Sequence, residues 1–324
     1  MTLQYRTMWT DVSTRGRLAF EGPDAASFLH ALVTNDVAGL AVGRGAYAAW
    51  LTPQGRMIAD LRLLRTGTGI LAEVPAGLAA GLQARFDQLI FSEDVRVTDI
   101  SASTRAVLVA GPDAAAAMAS ATGADETAVE ALPVLGHLTV GDFRVIRADD
   151  TALPTFEVWM PAEKTSGGFS GASFPEEIAT PEKPPDVFSA VDALRIEAAR
   201  PLFGVDMTTD TIPLEAGLLD RAISQTKGCY VGQEVIVRIL HRGGGKVVKH
   251  LMQLTFDPAV TVVPVAGTEL FAEGKPVGVV TSAAVSPSTG RVLALGYVHR
   301  DVATLGQTVR LGDGAEATLT TFAG

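Results

Sequence analysis

The stretch RLAFEGPDAASFLHALV, Arg17–Val33, decides how the first half of this chain is read, because RAVLVAGPDAAAAMASA, Arg105–Ala121, repeats its plan. Each begins with β-prone residues, stops at a glycine, turns through Pro-Asp and continues into small, helix-compatible residues. Proline cannot continue a ladder, and Asp followed by alanines suits a helix start. The pattern predicts two strand–turn–helix units spaced 89 residues apart, from Gly22 to Gly111. Short Gly-Pro-Asp turns also recur by chance, so the duplication is an expectation for strand order to test.

Between the two units, GAYAAWLTPQGRMIADLRLLRTGTGILAEV reads as three strands joined by Pro-Gln-Gly and Gly-Thr-Gly turns. Leu78, Leu82, Phe86 and Leu89 then recur at helical spacing, and Val95 and Val97 open another strand. HLTVGDFRVIRADD and TFEVWMPA add further strands. Strands and helices mixed without regular βαβ alternation point to an α+β architecture, not a doubly wound sheet. From Lys164 to Val187 the chain is rich in Gly, Ser and Pro and reads as a long loop. From about Lys246 it alternates, with turns at Glu-Gly-Lys-Pro and Ser-Pro-Ser-Thr-Gly, as six or so short strands of a β-barrel or sandwich.

Composition narrows the function. A length of 324 residues suggests about two or three domains, and the 47% hydrophobic content suits well-filled cores. The net charge of −10 argues against a general nucleic-acid binder, which needs clustered Lys and Arg. A single cysteine excludes an internal disulfide and a four-cysteine metal site. The segment MTLQYRTMWTDVSTRG has no apolar core of signal-peptide length, and no run approaches the roughly 18 apolar residues of a membrane span. The expectation is a soluble, cytoplasmic, reduced protein. Five scattered histidines form no ligand pair, so no metal site is expected.

The one cysteine, Cys229, lies in QTKGCYVGQEVIVRILHRGGGK, Gln225–Lys246. An inert cysteine usually packs as a small hydrophobe, whereas this one stands among a cation, glycines and hydrogen-bonding groups. Val231, Val235 and Ile239 fall at helical spacing, although Val235–Val237 are equally good strand formers. Were a helix to run from about Tyr230, its N-terminus and Lys227 would both favour the thiolate. A tolerated surface thiol is the plain alternative. Gln233 and Glu234 could read the polar edge of a heterocycle or be exposed helix residues. Asp60 and Arg62 share a strand face, which usually means a surface ion pair; Glu197, on a helix that Pro201 ends, is either solvated or turned into a cleft.

The string KGCYVGQE resembles the signature of the YgfZ family, folate-binding proteins that assist iron–sulfur cluster assembly or repair. FLHALVTNDVAGL, YAAWLTPQGRMIADLRLLR, LRIEAARPLFGVD and PVGVVTSAAVSPSTGRVLALGYV resemble stretches of the wider glycine-cleavage T-protein family, whose type member is a tetrahydrofolate-dependent aminomethyltransferase. The resemblance implies a three-domain cloverleaf: two related α+β (ferredoxin-like) domains plus a C-terminal β-barrel. The expected boundaries are 1–45 with 145–243, then 46–144, then 244–324. It further implies tetrahydrofolate or a one-carbon derivative as cofactor. Glu197 would bind the pterin edge, Asp60 would occupy the neighbourhood of the transferase acid, and Tyr47, Tyr230 and Gln233 would line the site. Lys227 and Arg238 would attract the glutamyl tail, with Cys229 beside the pterin. Iron–sulfur assembly or client proteins, such as tRNA-modifying enzymes, would be partners, because one cysteine cannot hold a cluster that usually takes four protein ligands.

Two departures bear on the branch. Where the transferase carries paired aspartates before Leu, this chain reads Ala59-Asp60-Leu61, and the transferase lacks the Lys-Gly-Cys-Tyr string. Both favour an accessory factor of the YgfZ type, with folate-dependent aminomethyl or one-carbon transfer to a small amine as the alternative. The loop-like 164–187 segment also departs from the helix-containing pattern expected of the family.

Overall fold

The computed structural model describes residues 6–165, 185–242, 244–312 and 314–324. In chain order, the first elements are β1 (Met8–Asp11), β2 (Gly16–Glu21), α1 (Ala25–Leu32), β3 (Gly45–Leu51), β4 (Met57–Arg65), β5 (Gly69–Val74), α2 (Ala79–Asp87) and β6 (Arg96–Asp99). Next come β7 (Thr104–Ala110), α3 (Ala114–Thr122), α4 (Glu126–Glu130), β8 (His137–Val140), β9 (Phe143–Ala148) and β10 (Thr155–Pro161). Helices α5 (Pro185–Glu197), α6 (Leu219–Ala222) and α7 (Gln233–Val237) follow. The last strands are β11 (Lys249–Phe256), β12 (Glu269–Ala272), β13 (Lys275–Val285), β14 (Val292–His299), β15 (Thr308–Leu311) and β16 (Glu316–Phe322).

Two five-stranded sheets carry the repeat. Their orders are β3-β4-β5-β2-β6 and, read in the same sense, β8-β9-β10-β7-β1. The two strands of the sequence echo, β2 and β7, therefore hold the same place, second from one edge. The turns match as well. Gly22 (φ +119) and Gly111 (φ +140) lie where a Cβ would sit 2.2 Å from the Asp94 carbonyl oxygen and 2.3 Å from that of Arg6. Only glycine tolerates both the left-handed backbone and that approach. The Asp24 and Asp113 amides each donate to the same carbonyls, both at 3.3 Å. The echo is thus a structural duplication, and one copy takes its edge strand from before the repeat.

Strand pairing crosses the expected limit at residue 45, since β2 lies hydrogen-bonded between β5 and β6. Residues 16–99 form one sheet with α1 and α2, in which Phe86 packs edge-on to Phe20 with centroids 4.9 Å apart. Residues 8–11 and 104–161 form the other, and Met118 of α3 is buried against Val107, Phe156 and Val158. The third part is a closed six-stranded barrel, β11-β14-β13-β12-β15-β16, filled by Leu254, Phe256, Leu270, Val280 and Leu319. By contacts the described residues divide into two compact units: those within 6–48 with those of Asp60–Val191, and Ala49–Ala59 with those of Asp192–Gly324. Most of the loop-like stretch, residues 166–184, lies outside the described residues, and its last part is helical because α5 begins at Pro185.

Within the first of those units the two sheets share a buried ion cluster. Arg15 donates to Glu73 (3.1 Å), Glu157 (3.3 Å) and Asp150 (3.2 Å). Arg62 reaches the same three carboxylates. The Asp60–Arg62 ion pair expected on the surface is replaced by this inward network, because Arg62 finds three acids nearly stripped of water. Burial and the neighbouring Glu73 raise Glu157 well above the carboxylate range. The two arginines hold Glu73 below that range despite its burial.

A group raised on folding contributes fully below its unfolded value and loses that contribution as pH rises through the folded one. Glu157→Gln mimics the protonated acid. It is expected to stay within about 1 kcal/mol of wild type near neutrality and to gain on wild type between pH 5 and pH 8. Glu73→Gln leaves the arginines short of an anion and should cost roughly 3 kcal/mol. Urea midpoints at the two pH values check both; an E157Q protein that falls behind as pH rises contradicts the raised Glu157.

Candidate functional site

Each candidate residue is placed by a different local device. Tyr47 lies in β3 and Asp60 in β4, and the Tyr47 hydroxyl donates to Asp60 Oδ2 at 2.6 Å. The Tyr47 carbonyl accepts from Asn35 Nδ2 at 2.9 Å, which fixes the strand there. Burial pushes the Asp60 carboxyl up, while the Tyr47 hydroxyl and the Arg62 charge pull it down. A carboxyl raised in this way, with one oxygen already hydrogen-bonded, is a better proton acceptor than an ordinary carboxylate.

Glu197 is the last residue of α5. Ala199 follows with φ +54, so the helix is finished before Pro201. Gln253 from β11 caps the helix end by donating to the Ile196 carbonyl (2.7 Å) and the Glu197 carbonyl (2.9 Å). Such terminal carbonyls have no intrahelical partner and need an outside donor. The Glu197 side chain accepts from the Ser286 hydroxyl at Oε1, 3.1 Å away. Its Oε2 is buried and has no hydrogen-bond partner among the described residues. A buried, half-satisfied carboxylate is costly unless a ligand supplies the missing donor.

The cysteine segment is different. Helix α7 starts at Gln233, with Gly232 as N-cap at φ +83, so Cys229 lies three residues ahead of the cap and outside the first turn. The expectation that a helix N-terminus at Tyr230 favours the thiolate is corrected accordingly, because the dipole acts within about one turn. The reason is steric. A Cβ on Gly232 would stand 2.6 Å from the Thr52 carbonyl oxygen and 2.9 Å from Leu51, so the chain must bend there before it can coil. After α7 the backbone widens into a π-turn over Arg238–Arg242, which settles the helix-or-strand ambiguity in favour of helix.

Cys229 itself is exposed. Lys227 Nζ stands 5.0 Å from the Tyr230 ring centroid, within cation–π range. Tyr230 is buried, and desolvation raises its phenol to about 12. Gln233 is half-buried and Arg238 exposed.

Four residues named singly from the sequence therefore meet in two direct contacts, Tyr47 with Asp60 and Lys227 with Tyr230. The sequence reading missed Gln253 and Ser286. Both lie in the barrel, and Ser286 belongs to a Ser-Pro-Ser-Thr-Gly stretch that reads only as a turn. It also missed the hub on Asp206, whose Oδ2 accepts from Arg195 (2.7 Å) while Oδ1 accepts from Thr281 (2.5 Å) and Ser282 (2.6 Å). No helix among the described residues is long and apolar enough to cross a membrane.

Comparison with known proteins agrees with this architecture. Residues 2–227 match the GCVT N-terminal domain, and residues 249–320 match the glycine cleavage T-protein C-terminal barrel domain. The chain is 30% identical over 290 residues to an aminomethyltransferase of Rubrobacter xylanophilus, covering 89% of this chain and 75% of that protein. It is 31% identical over 321 residues to an aminomethyltransferase of Corynebacterium jeikeium, covering 91% and 79%. The crystal structure of glycine cleavage system aminomethyltransferase T from Bartonella henselae superposes with a TM-score of 0.82 at 24% identity, over 98% of this chain and 86% of that one, a likeness of fold. With two matched α+β sheets, a six-stranded barrel and family matches over most of its length, the chain belongs to the glycine-cleavage T-protein family.

Proposed function

We propose that this protein binds a reduced folate, tetrahydrofolate or a one-carbon derivative, through Glu197, and uses it in one-carbon transfer of the aminomethyl type on a small amine. Aminomethyltransferases of this family use tetrahydrofolate. The observation that carries the reading is the buried Glu197 Oε2 without a partner, which fits the amino-pyrimidine donors of a pterin. When bound, the folate supplies the nitrogen that bears the one-carbon unit.

In this reading Asp60, held by Tyr47, is the acid/base group, and Lys227 and Arg238 are the cations for a glutamyl tail. Tyr230 and Gln233 are proposed as further binding residues. The names of the relatives support transfer as the activity. We also propose that the domain limits follow the sheets, near 16–99, 8–11 with 104–161, and the barrel.

A second reading has its own support. The exposed Cys229 in KGCYVGQE, together with Ala59 in place of a second acid, favours a YgfZ-type accessory factor for iron–sulfur assembly or repair. Its partners would be cluster-assembly proteins or clients such as tRNA-modifying enzymes. The readings separate by mutation. Turnover that survives Cys229→Ala and collapses in Asp60→Asn supports transfer. Cellular iron–sulfur enzyme activities lost in Cys229→Ala support the accessory role.

Folate binding underlies both. Calorimetry on the reduced protein should show binding of tetrahydrofolate, and Glu197→Ala should weaken it about 30-fold, or about 2 kcal/mol. Wild-type protein that does not bind tetrahydrofolate overturns both readings.

A further inference from the structure

We infer that the β13–β14 turn of the barrel, Ser286–Gly290, positions the folate anchor, with Ser286 as a positioning residue that leaves Glu197 a single oriented oxygen for the ligand. This rests on the proposed role of Glu197. The direction of the hydrogen bonds is what carries it. The Ser286 oxygen accepts from the Thr289 amide at 3.0 Å and from the Thr289 hydroxyl at 2.8 Å. With that oxygen occupied as an acceptor, its own proton is free to be donated to Glu197 Oε1 at 3.1 Å.

The turn that holds these groups is closed by the Gly290 amide on the Ser286 carbonyl at 2.8 Å and by the Ser286 amide on the Arg291 carbonyl at 2.8 Å. Ser286 is only 1% exposed, so water cannot stand in for it. Gln253, on β11 of the same barrel, grips the Glu197 backbone. Two strands of the barrel thus fix both ends of one residue. Oε1 is consumed, Oε2 is not, and the carboxylate cannot swing without breaking a chain of hydroxyls that polarise one another.

A ligand donor paired to a carboxylate held in one rotamer loses less entropy than one paired to a free carboxylate. The barrel turn, remote in sequence from the helix that carries Glu197, therefore sets affinity for the pterin edge.

The test is calorimetric titration of the full-length protein with 5-formyltetrahydrofolate, an oxidation-resistant probe. Ser286→Ala should weaken binding about tenfold with the melting temperature little changed. Thr289→Val, which removes only the hydroxyl donor, should weaken it about threefold. In a Glu197→Gln background, adding Ser286→Ala should change affinity by less than twofold, because the relay then has no carboxylate to orient; a structural role would give the same loss in both backgrounds. If Ser286→Ala fails to fold, Thr289→Val and its Glu197→Gln double variant carry the same comparison. Binding by S286A and T289V within twofold of wild type, while E197Q is impaired, overturns the positioning role and leaves the folate reading standing. An unimpaired E197Q overturns Glu197 as the anchor, and only wild-type protein that does not bind overturns the folate reading itself.

Discussion

Arg17→Met is expected to destabilise the protein by about 3–5 kcal/mol, the range for removing one member of a buried, bonded charge. Arg17 is fully buried in β2, and every bond it makes is local to one corner of its unit. Its Nε donates to Thr104 Oγ1 (2.7 Å), Nη1 to the Arg15 carbonyl (2.9 Å), and Nη2 to the carbonyls of Ser13 (3.2 Å), Ser101 (3.2 Å) and Thr104 (3.0 Å). The guanidinium thereby ties the end of one sheet to the start of the next. Burial lowers its basicity, and Glu157 and Glu73 offset part of that.

Methionine fills similar volume but leaves those carbonyls unpaired in a dry site, each costing about 1–3 kcal/mol unless it relaxes. Lysine keeps the charge yet cannot fan out to the same acceptors, so Arg17→Lys should recover only part of the loss. Urea unfolding followed by tryptophan fluorescence measures this, since Trp9 and Trp159 report from the adjoining sheet. An Arg17→Met midpoint matching wild type would show that the carbonyls find other donors.

The second large effect is expected at Gly217, whose φ is +74. A Cβ there would stand 1.6 Å from the Ala323 carbonyl oxygen and 2.7 Å from its carbon, and backbone atoms cannot give way as a side-chain tip can. Gly217→Ala must therefore expel residues 323–324. They are held by the Ala323 amide on the Leu251 carbonyl (3.0 Å), the Gly324 amide on the Ala199 carbonyl (3.1 Å), and Arg200 on the Gly324 carbonyl.

Lost bonds and left-handed strain together should cost roughly 3 kcal/mol or more, lowering the melting temperature by about 6 °C or more. Deleting Ala323 and Gly324 removes the obstacle. In that background Gly217→Ala should cost only its backbone strain, about 1 kcal/mol. Equal losses in both backgrounds would place the cost elsewhere. Ala199, two residues after Glu197, lies on this seam, so the variant should also loosen the folate anchor.

Much of the fold was legible because it rests on short-range rules. The Gly-Pro-Asp echo exposed the duplication, since a positive-φ glycine against a neighbouring carbonyl is a local demand that only one residue type meets. Alternation after Lys246 exposed the strands of a barrel or sandwich, since inward residues must be apolar at every second position, and the family resemblance implied the barrel. The sites were only half legible. Tyr47 and Asp60 were named without their contact, and Cys229 was named with a helix start three residues too early.

What the amino-acid order alone determined here is the set of elements, the family resemblance and the identity of the chemically capable residues, because periodicity, turn chemistry and motif strings are written in neighbours along the chain. What only the tertiary structure decided is which of them are dry, paired or left wanting. Arg62 turned inward to three acids, Ser286 became the donor to a glutamate 89 residues away (from Glu197 to Ser286), and Glu197 kept one oxygen unpaired. Desolvation and hydrogen-bond geometry are properties of packed neighbours, and packing brings together residues that no local pattern links.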